Sequence, residues 1–579
     1  MQSFGGRPAH APVAFKGEGA ALAVGKFLRA PAIKHVVGPA ALYLVLYCLF
    51  TWPLCLKFST HFFGDTIDGP QNIWNLWWVN LAVRHPDLYP SIWRTPLLHW
   101  PYGTTLVGHT LNPFNGFVAA VLLEFLPLVT TYNVIVVMAF VLAGLTMYWL
   151  AFYVSNAYWA SITAGVIFTF SSFHFMHAEG HLQLVSLEWI PLFLLSWHLL
   201  VTKPTAARGM FAAVVLWLVL LCDYYYFFYC VVAAILIVLW CMGVRRDPRL
   251  FFAREYWLPC TSFVVIAALL VGPIVWQLLL TNYRDPLIGS HDPSQFSLDL
   301  LALFIPGGHW RFNGLTRFFW SRLPGNLSES SAYLPLSVYA VLGYLWARRK
   351  TLEAHVRRAL ALWFALMAAF ILLALGPALR VAGTVVWDKA MPYTILAGLL
   401  PFLALSGLPV RMMVMVTLAA SVLSAMGFRE LYGQFSQKTA LVLVLLAVIV
   451  FESLPIPLAA TRLEIPEYVT VLAGLPDAGG VLDEVAPSPS QLMYYQIGFM
   501  KPIAFGYISR VPTSVVKNDE MLAQAIGRRD YASLLNTYHI AYVVTRDMTV
   551  PPQPQVCVQA VYDSHEVRIY RLQAACSDG

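Results

Sequence analysis

The sequence predicts an all-α polytopic membrane protein of about eleven transmembrane helices, followed by a small C-terminal α+β extracytoplasmic domain. Three observations predict it. Charged residues make up 12% of the 579 residues and hydrophobic residues 59%, against roughly 25% and 45–50% in soluble proteins. The apolar residues gather in runs near the length of about 20 that a helix requires to cross the hydrocarbon core. After Leu454 the charge and turn composition of a soluble chain returns. The 19 Trp, 28 Tyr and 36 Phe exclude a disordered chain, and no glycine period suggests a fibre.

Apolar runs place spans near 36–57, 132–153, 157–171, 184–201, 209–224, 226–243, 257–280, 333–347, 359–376, 411–428 and 439–455. The first run is too long for the apolar core of a signal peptide and reads as a retained span. The 25 residues at the start read as disordered. Two shorter runs, 113–128 and 393–405, are edged with Pro or Gly and are expected to lie at the outer face or re-enter it. Charge decides this. Lys26, Arg29 and Lys34 precede the first span. Lys203 and Arg208, Arg245, Arg246, Arg249 and Arg254, Arg348 to Lys350 with Arg357 and Arg358, and Arg429 with Lys438 occupy later junctions. These clusters share one side, the cytosol, only if neither short run crosses. The same distribution makes the net charge of +7 a matter of membrane orientation rather than of nucleic-acid binding.

The expected organisation is a cytosolic segment 1–35, a membrane domain 36–455 with a large first outer loop 58–131, and an extracytoplasmic α+β domain 456–579. The expected location is the cytoplasmic (inner) membrane. Runs such as Ala541–Val544 and Val567–Tyr570 read as strands of the tail. Six of the eight Cys lie in apolar stretches. Cys557 and Cys576 lie in the tail and could be bonded if the tail is outside the cytosol.

Polar residues then stand out in the outer loops. Loop 58–131 opens with Gly64-Asp65-Thr66-Ile67-Asp68-Gly69-Pro70-Gln71-Asn72, two carboxylates in a tight turn. The plain alternative is that Asp65 caps a helix and Asp68 faces water. The following Ile73–Trp78 reads as an amphipathic interfacial helix. A second loop carries His174, His177, Glu179 and His181. His177 and His181 are spaced to share a helix face, where they could hold a metal, although the order is not that of a metalloprotease. Polar groups at such a depth are costly unless they serve a site. Asp223, before Tyr224-Tyr225-Tyr226, ends an apolar run. The loop 281–332 holds Arg322 and Glu329 among several basic residues, which an anionic ligand would explain. Arg411 is a weaker candidate of that kind. His99 and His109 belong to loop 58–131 and are expected to line the same cavity.

The motifs Gly64-Asp65-x-x-Asp68-x-x-Gln71, His177-x-x-Gly180-His181-x-Gln183 leading to Trp189-Ile190-Pro191, Glu329-x-x-x-Tyr333-Leu334, Leu408-Pro409-x-Arg411 and His539–Val544 resemble those of GT-C glycosyltransferases. Among these they are closest to bacterial membrane proteins of YfhO type. The resemblance implies a GT-C-like membrane domain. It implies transfer of a hexosyl or pentosyl group from a polyprenyl-phosphate carrier to a glycan, lipid or protein acceptor on the outer face. Asp65 is then the expected general base and Asp68 its partner. His99, His109, His174, His177, Glu179, His181, Asp223, Arg322, Glu329 and Arg411 are the expected substrate contacts. The resemblance fixes no certain cofactor; a divalent metal on Asp65, Asp68, His177 and His181 is the one candidate. The D-x-x-D spacing departs from the D-x-D of some GT-C members, which bears on that metal. The alternatives are a transporter or flippase for a lipid-linked sugar, which would show repeats and mid-membrane polar breaks, and a non-catalytic envelope assembly protein.

Overall fold

The computed structural model describes residues 33–245, 253–289, 291–400, 403, 407–434, 438–547 and 555–574. Lys26, Arg29, Arg246, Arg249, Cys576, much of 401–405 and the N-terminal segment expected to be disordered lie outside the described residues.

Five helices are long and apolar enough to cross a bilayer: Ile33–Phe50, Leu128–Ser155, Tyr224–Val244, Ala354–Ala374 and Pro409–Gly433. Two further pairs, Tyr158–Thr169 with Ser172–Ala178 and Arg254–Leu270 with Gly272–Arg284, are bent by 43° and 49° and raise the number to seven if each pair is one span. Every expected span falls on a helix, and among the described residues five to seven crossings meet this length and composition, against the eleven expected. Trp189–Thr202, Ala206–Cys222, Thr439–Glu452 and Leu336–Arg348 are apolar yet short of about 20 residues. Hydropathy counts apolar runs and does not see where a helix breaks. The helices Pro113–Leu122 and Pro392–Leu399 have 10 and 8 residues, too short to cross.

The helix Pro409–Gly433 is the centre of the bundle; its apolar window is 100% buried, against 17% for Ile33–Phe50. It packs on Leu128–Ser155, Tyr158–Thr169, Leu336–Arg348 and Ala354–Ala374. Small residues let these backbones approach. Thr417, Ser421 and Ser424 turn their hydroxyls back to the carbonyls of Met413, Thr417 and Ala420 at 2.7–3.0 Å, so no polar group there lacks a partner. Near the first span, the Tyr43 ring lies between two helices where Gly144 and Gly165 have no Cβ. A Cβ would come within 2.5 and 2.0 Å of that ring and its hydroxyl.

The tail forms a four-stranded sheet in the order Cys557–Asp563, Arg568–Gln573, Ile540–Thr545, Gly480–Asp483, the last pair parallel and the others antiparallel. Ile540–Thr545 is buried along its whole length, as the continuous apolar run Ile540–Val544 requires. Loop 58–131 packs onto this tail. Phe62–Phe63 pairs with Ala460–Thr461, and Trp74 and Trp78 share a core with Tyr468, Met493 and Tyr542. The segment Ile73–Trp78 is therefore not an interfacial helix. It belongs to Gly69–Arg84, which is buried between Pro113–Leu122 and Pro489–Phe499. Two of its polar groups are satisfied inside: Trp74 Nε1 donates to Gln496 at 2.7 Å and Asn75 Nδ2 to Thr110 O at 3.1 Å. Cys557 is disulfide-bonded, while Cys48, Cys55, Cys222, Cys230, Cys241 and Cys260 are free.

Candidate functional site

The site begins at the turn between Phe63 and Gly69. Asn133, on a membrane helix, anchors it: its Oδ1 accepts from Phe63 N at 2.9 Å, and its Nδ2 donates to Phe58 O and His61 O at 2.8 Å. Asp65 Oδ1 then accepts from the amides of Ile67, Asp68 and Gly69 at 2.8–3.0 Å. These are orphan donors at the start of Gly69–Arg84, and a carboxylate suits them both as acceptor and as countercharge. Asp68 holds Gln71 Nε2 at 3.3 Å and is otherwise turned toward the second loop. Burial first, and the neighbouring Asp65 charge second, push its carboxyl up to about 6.

The second loop is stitched to this turn. Asp65 N donates to Glu179 O at 2.6 Å, and Asn72 Nδ2 donates to Gly180 O at 2.7 Å. Gly180 faces the carboxylates so closely that a Cβ would stand 3.1 Å from both Asp65 Oδ2 and Asp68 Cβ. His181 Nε2 lies 3.8 Å from Asp68 Oδ2. Burial, then the Arg411 charge, push the His181 ring down to about 3, so it is neutral at physiological pH. His177 donates from Nδ1 to Phe173 O at 3.0 Å and directs Nε2 at Glu329, 3.4 Å away. Glu329 also takes Arg411 Nε at 3.0 and 3.2 Å in a pair that is 3–5% exposed. Burial alone would raise the Glu329 carboxyl; Arg411 and His177 overcome this and hold it well below its ordinary value.

A second cation completes the group. The guanidinium carbons of Arg411 and Arg510 lie 5.4 and 5.1 Å from the centre of the Tyr225 ring, and Arg510 donates to the Tyr225 hydroxyl. Tyr225 is set there by Asp223, whose Oδ1 caps the next helix through the amides of Tyr225 and Tyr226 at 2.7 and 3.1 Å. Asp223, Tyr225, Arg510 and His109 line one small cavity. His109 is held by Asn75 Oδ1 at 3.0 Å and lies 3.3 Å from Ser509 N. Its burial, with Arg510 nearby, pushes it down to about 3.

Of the residues expected from sequence, the structure therefore gathers Asp65, Asp68, His177, Glu179, His181, Asp223, Glu329 and Arg411, with His109 at the cavity wall. Three stand elsewhere. His174 has its two ring nitrogens 2.8 and 2.9 Å from the carbonyls of Thr169 and Val185 and stacks on Phe140 at 3.8 Å, so it holds the helix break together. His99 contacts Asp519 at 3.0 Å and ties loop 58–131 to the tail. Arg322 is exposed and lies over the Phe318 ring at 3.9 Å. Two of the four residues considered for a divalent metal are engaged by the protein itself. Asp65 Oδ1 is saturated by amides, and His177 is committed to Phe173 and Glu329. Among the described residues no group of three or more His, Cys, Asp or Glu is arranged to hold an ion. Tyr225, Arg510, Gln71 and Asn72 were not foreseen as site residues. Arg510 lies 285 residues from Tyr225 in sequence, and nothing local marks it; Tyr225 reads as part of an interfacial tyrosine run.

Comparison with solved structures places the architecture. The mycobacterial arabinofuranosyltransferase AftD superposes with a TM-score of 0.54 at 14% identity, over 94% of this chain and 42% of that one. ArnT from Cupriavidus metallidurans, in the apo state, aligns at 0.49 and 12% identity, over 92% and 97% of the two chains. The Archaeoglobus fulgidus oligosaccharyltransferase AglB, in complex with an inhibitory peptide and a dolichol-phosphate, aligns at 0.44 and 13% identity, over 90% and 69%. The likeness to AftD shows that the two share a fold, and with the apolar helices it makes the chain a multi-pass membrane protein. No curated protein matches the sequence. A family model matches residues 74–451, from the buried helix Gly69–Arg84 to the end of the apolar helix Lys438–Glu452. The chain belongs to that family, described as a domain of unknown function, DUF6311.

Proposed function

We propose that the protein is an integral-membrane glycosyltransferase that moves a sugar from a polyprenyl-phosphate carrier to an acceptor hydroxyl on the outer face of the cytoplasmic membrane. The observation that carries this reading is the contact of the Asp65–Asp68 turn with the loop of His177 and His181, beside the Arg411–Tyr225–Arg510 stack. A carboxylate that can take a proton stands next to cations that can receive a phosphate. AftD, whose likeness shows the fold, is an arabinofuranosyltransferase, which supports the reaction class.

The chemistry follows from the residues. The acceptor oxygen attacks the anomeric carbon and loses its proton to a carboxylate within hydrogen-bond reach. The bond from the anomeric carbon to the phosphate oxygen breaks, its electron pair stays on the phosphate, and polyprenyl phosphate leaves. The resemblance to GT-C glycosyltransferases gives the base to Asp65. The geometry supports Asp68 for that step. Three amides tie Asp65 Oδ1 to its own turn, whereas Asp68 is turned toward the second loop and its raised carboxyl is near the working pH. Asp65 then fixes the turn and raises its neighbour. The cations of Arg510 and Arg411 stabilise charge that develops on the leaving phosphate. Because phosphate leaves without protonation, the paired acids of a glycosidase are not needed. The bonded Cys557 supports an oxidising, extracytoplasmic location for the tail.

The test in cells is a comparison of envelope glycans and lipid-linked sugars with and without the gene. The reading expects one glycosylated product to disappear while the polyprenyl-phosphate sugar accumulates. An unchanged profile would contradict it.

A further inference from the structure

Two cavities meet at Trp93. This residue lines the inner cavity of Asp223, Tyr225 and Arg510. It also lines a second cleft of about 370 Å³, open to solvent, whose walls come from three separate parts of the chain. Loop 58–131 supplies Trp93, Arg94 and Tyr102, the helix Gly272–Arg284 supplies Gln277 and Thr281, and the tail supplies Asn518.

The lining is mostly amide and hydroxyl, with two aromatic rings. The one carboxylate, Asp285, is already engaged by Ser514 N at 3.0 Å and by the Ser514 hydroxyl. A single guanidinium, Arg94, is the only cation of the lining. This is the wrong chemistry for a phosphate or a strongly charged chain. It suits a neutral chain of hydroxyls, each able to donate and accept, whose C–H faces pack on aromatic rings. The strands at the rim, Arg94–Thr95, Thr104–Thr105 and Val511–Pro512, have two residues each, too short to add a peptide strand.

We infer that the acceptor is a neutral glycan, that it lies in this cleft, and that Trp93 is the wall along which its end reaches the inner cavity. This rests on the transferase reading and narrows its acceptor class from glycan, lipid or protein to glycan. Gln277 and Asn518 then hold sugar hydroxyls, Tyr102 stacks on a ring, and the chain crosses the junction of membrane domain and tail. A bound glycan would thus register whether the tail is seated on loop 58–131.

The experiment uses the full-length protein in lipid nanodiscs with a polyprenyl-phosphate sugar as donor. The probes are three fractions from cells lacking the gene, in which unmodified acceptor accumulates: delipidated envelope oligosaccharide, envelope protein, and sugar-free lipid. The oligosaccharide fraction is expected to be the one that accepts sugar. Combining Tyr102→Ala with Asn518→Ala is expected to lower kcat/KM for it about tenfold, carried by KM rather than kcat. Gln277→Ala should shift KM in the same direction, and Tyr102→Phe, which keeps the ring, should restore most of the loss. Transfer to the protein or lipid fraction with the oligosaccharide inert overturns the inference and leaves the transferase reading standing. An unchanged KM in both the double variant and Gln277→Ala, with melting temperature retained, overturns it as well. Absence of transfer to all three fractions overturns the transferase reading and this inference with it.

Discussion

Glu329 and Arg411 form a buried pair in which Arg411 Nε reaches both carboxylate oxygens, at 3.0 and 3.2 Å. The pair joins the loop before Leu336–Arg348 to the start of the central helix, and His177 Nε2 faces it at 3.4 Å. Removing one partner leaves the other charge buried and unpaired, which costs about 3–5 kcal/mol. Glu329→Gln and Arg411→Ala are each expected to lower the melting temperature sharply, as read by thermal unfolding in detergent. Arg411→Lys should recover only part of it, since an ammonium cannot reproduce the two-oxygen contact.

Asp68 sets a pH dependence with a definite sign. Its folded carboxyl is raised to about 6, above its unfolded value. The stability it contributes is therefore fully present below the unfolded value and is lost as pH rises through about 6. Catalysis requires the opposite form, so the transfer rate should rise through the same pH. Wild type is expected to lose melting temperature, relative to Asp68→Asn, between pH 4 and 7, while its activity increases. Scans of both proteins across that range check it; parallel curves would remove the assignment.

The cap on Asp65 is separable from the proton transfer on Asp68. Asp65→Ala deletes the acceptor for three amides and should cost about 0.5–2 kcal/mol, with Asp65→Asn milder in stability. Both should lower the rate, because the turn that presents Asp68 loosens. The measurement is unfolding free energy alongside kcat for each variant.

Gly180 tests the closeness of the two loops. Its missing Cβ would meet Asp65 Oδ2 and Asp68 Cβ at 3.1 Å, tighter than ordinary contact. Gly180→Ala is expected to leave the melting temperature within a few degrees and to reduce kcat at least about tenfold, since small misplacements of a reacting group are costly. Single-turnover rates with saturating donor would show it.

How much of this was legible in the sequence depends on the residue. Scarcity of charge made Asp65, Asp68, His177 and His181 visible, and the side of the membrane on which basic residues gather grouped them with Glu329 before any contact was known. The same logic failed for His174 and Arg322. Their residue types and positions match those of site residues, but what decides their roles is a pair of carbonyls and one aromatic face. Bent and short helices looked like full spans because hydropathy averages over the break at Val271, inside the expected span 257–280. Arg510 and the seating of Trp74 depend on pairing between loop 58–131 and a tail some 400 residues away, which no local pattern encodes.

The central claim is that Asp68 accepts the proton as sugar leaves a polyprenyl phosphate. It is tested most directly by measuring transfer from a radiolabelled polyprenyl-phosphate sugar to envelope acceptor, in nanodiscs, for wild type and Asp68→Asn. The account predicts transfer by wild type and a loss of about a hundredfold or more in Asp68→Asn, with donor binding and melting temperature retained. Full transfer by Asp68→Asn would contradict it.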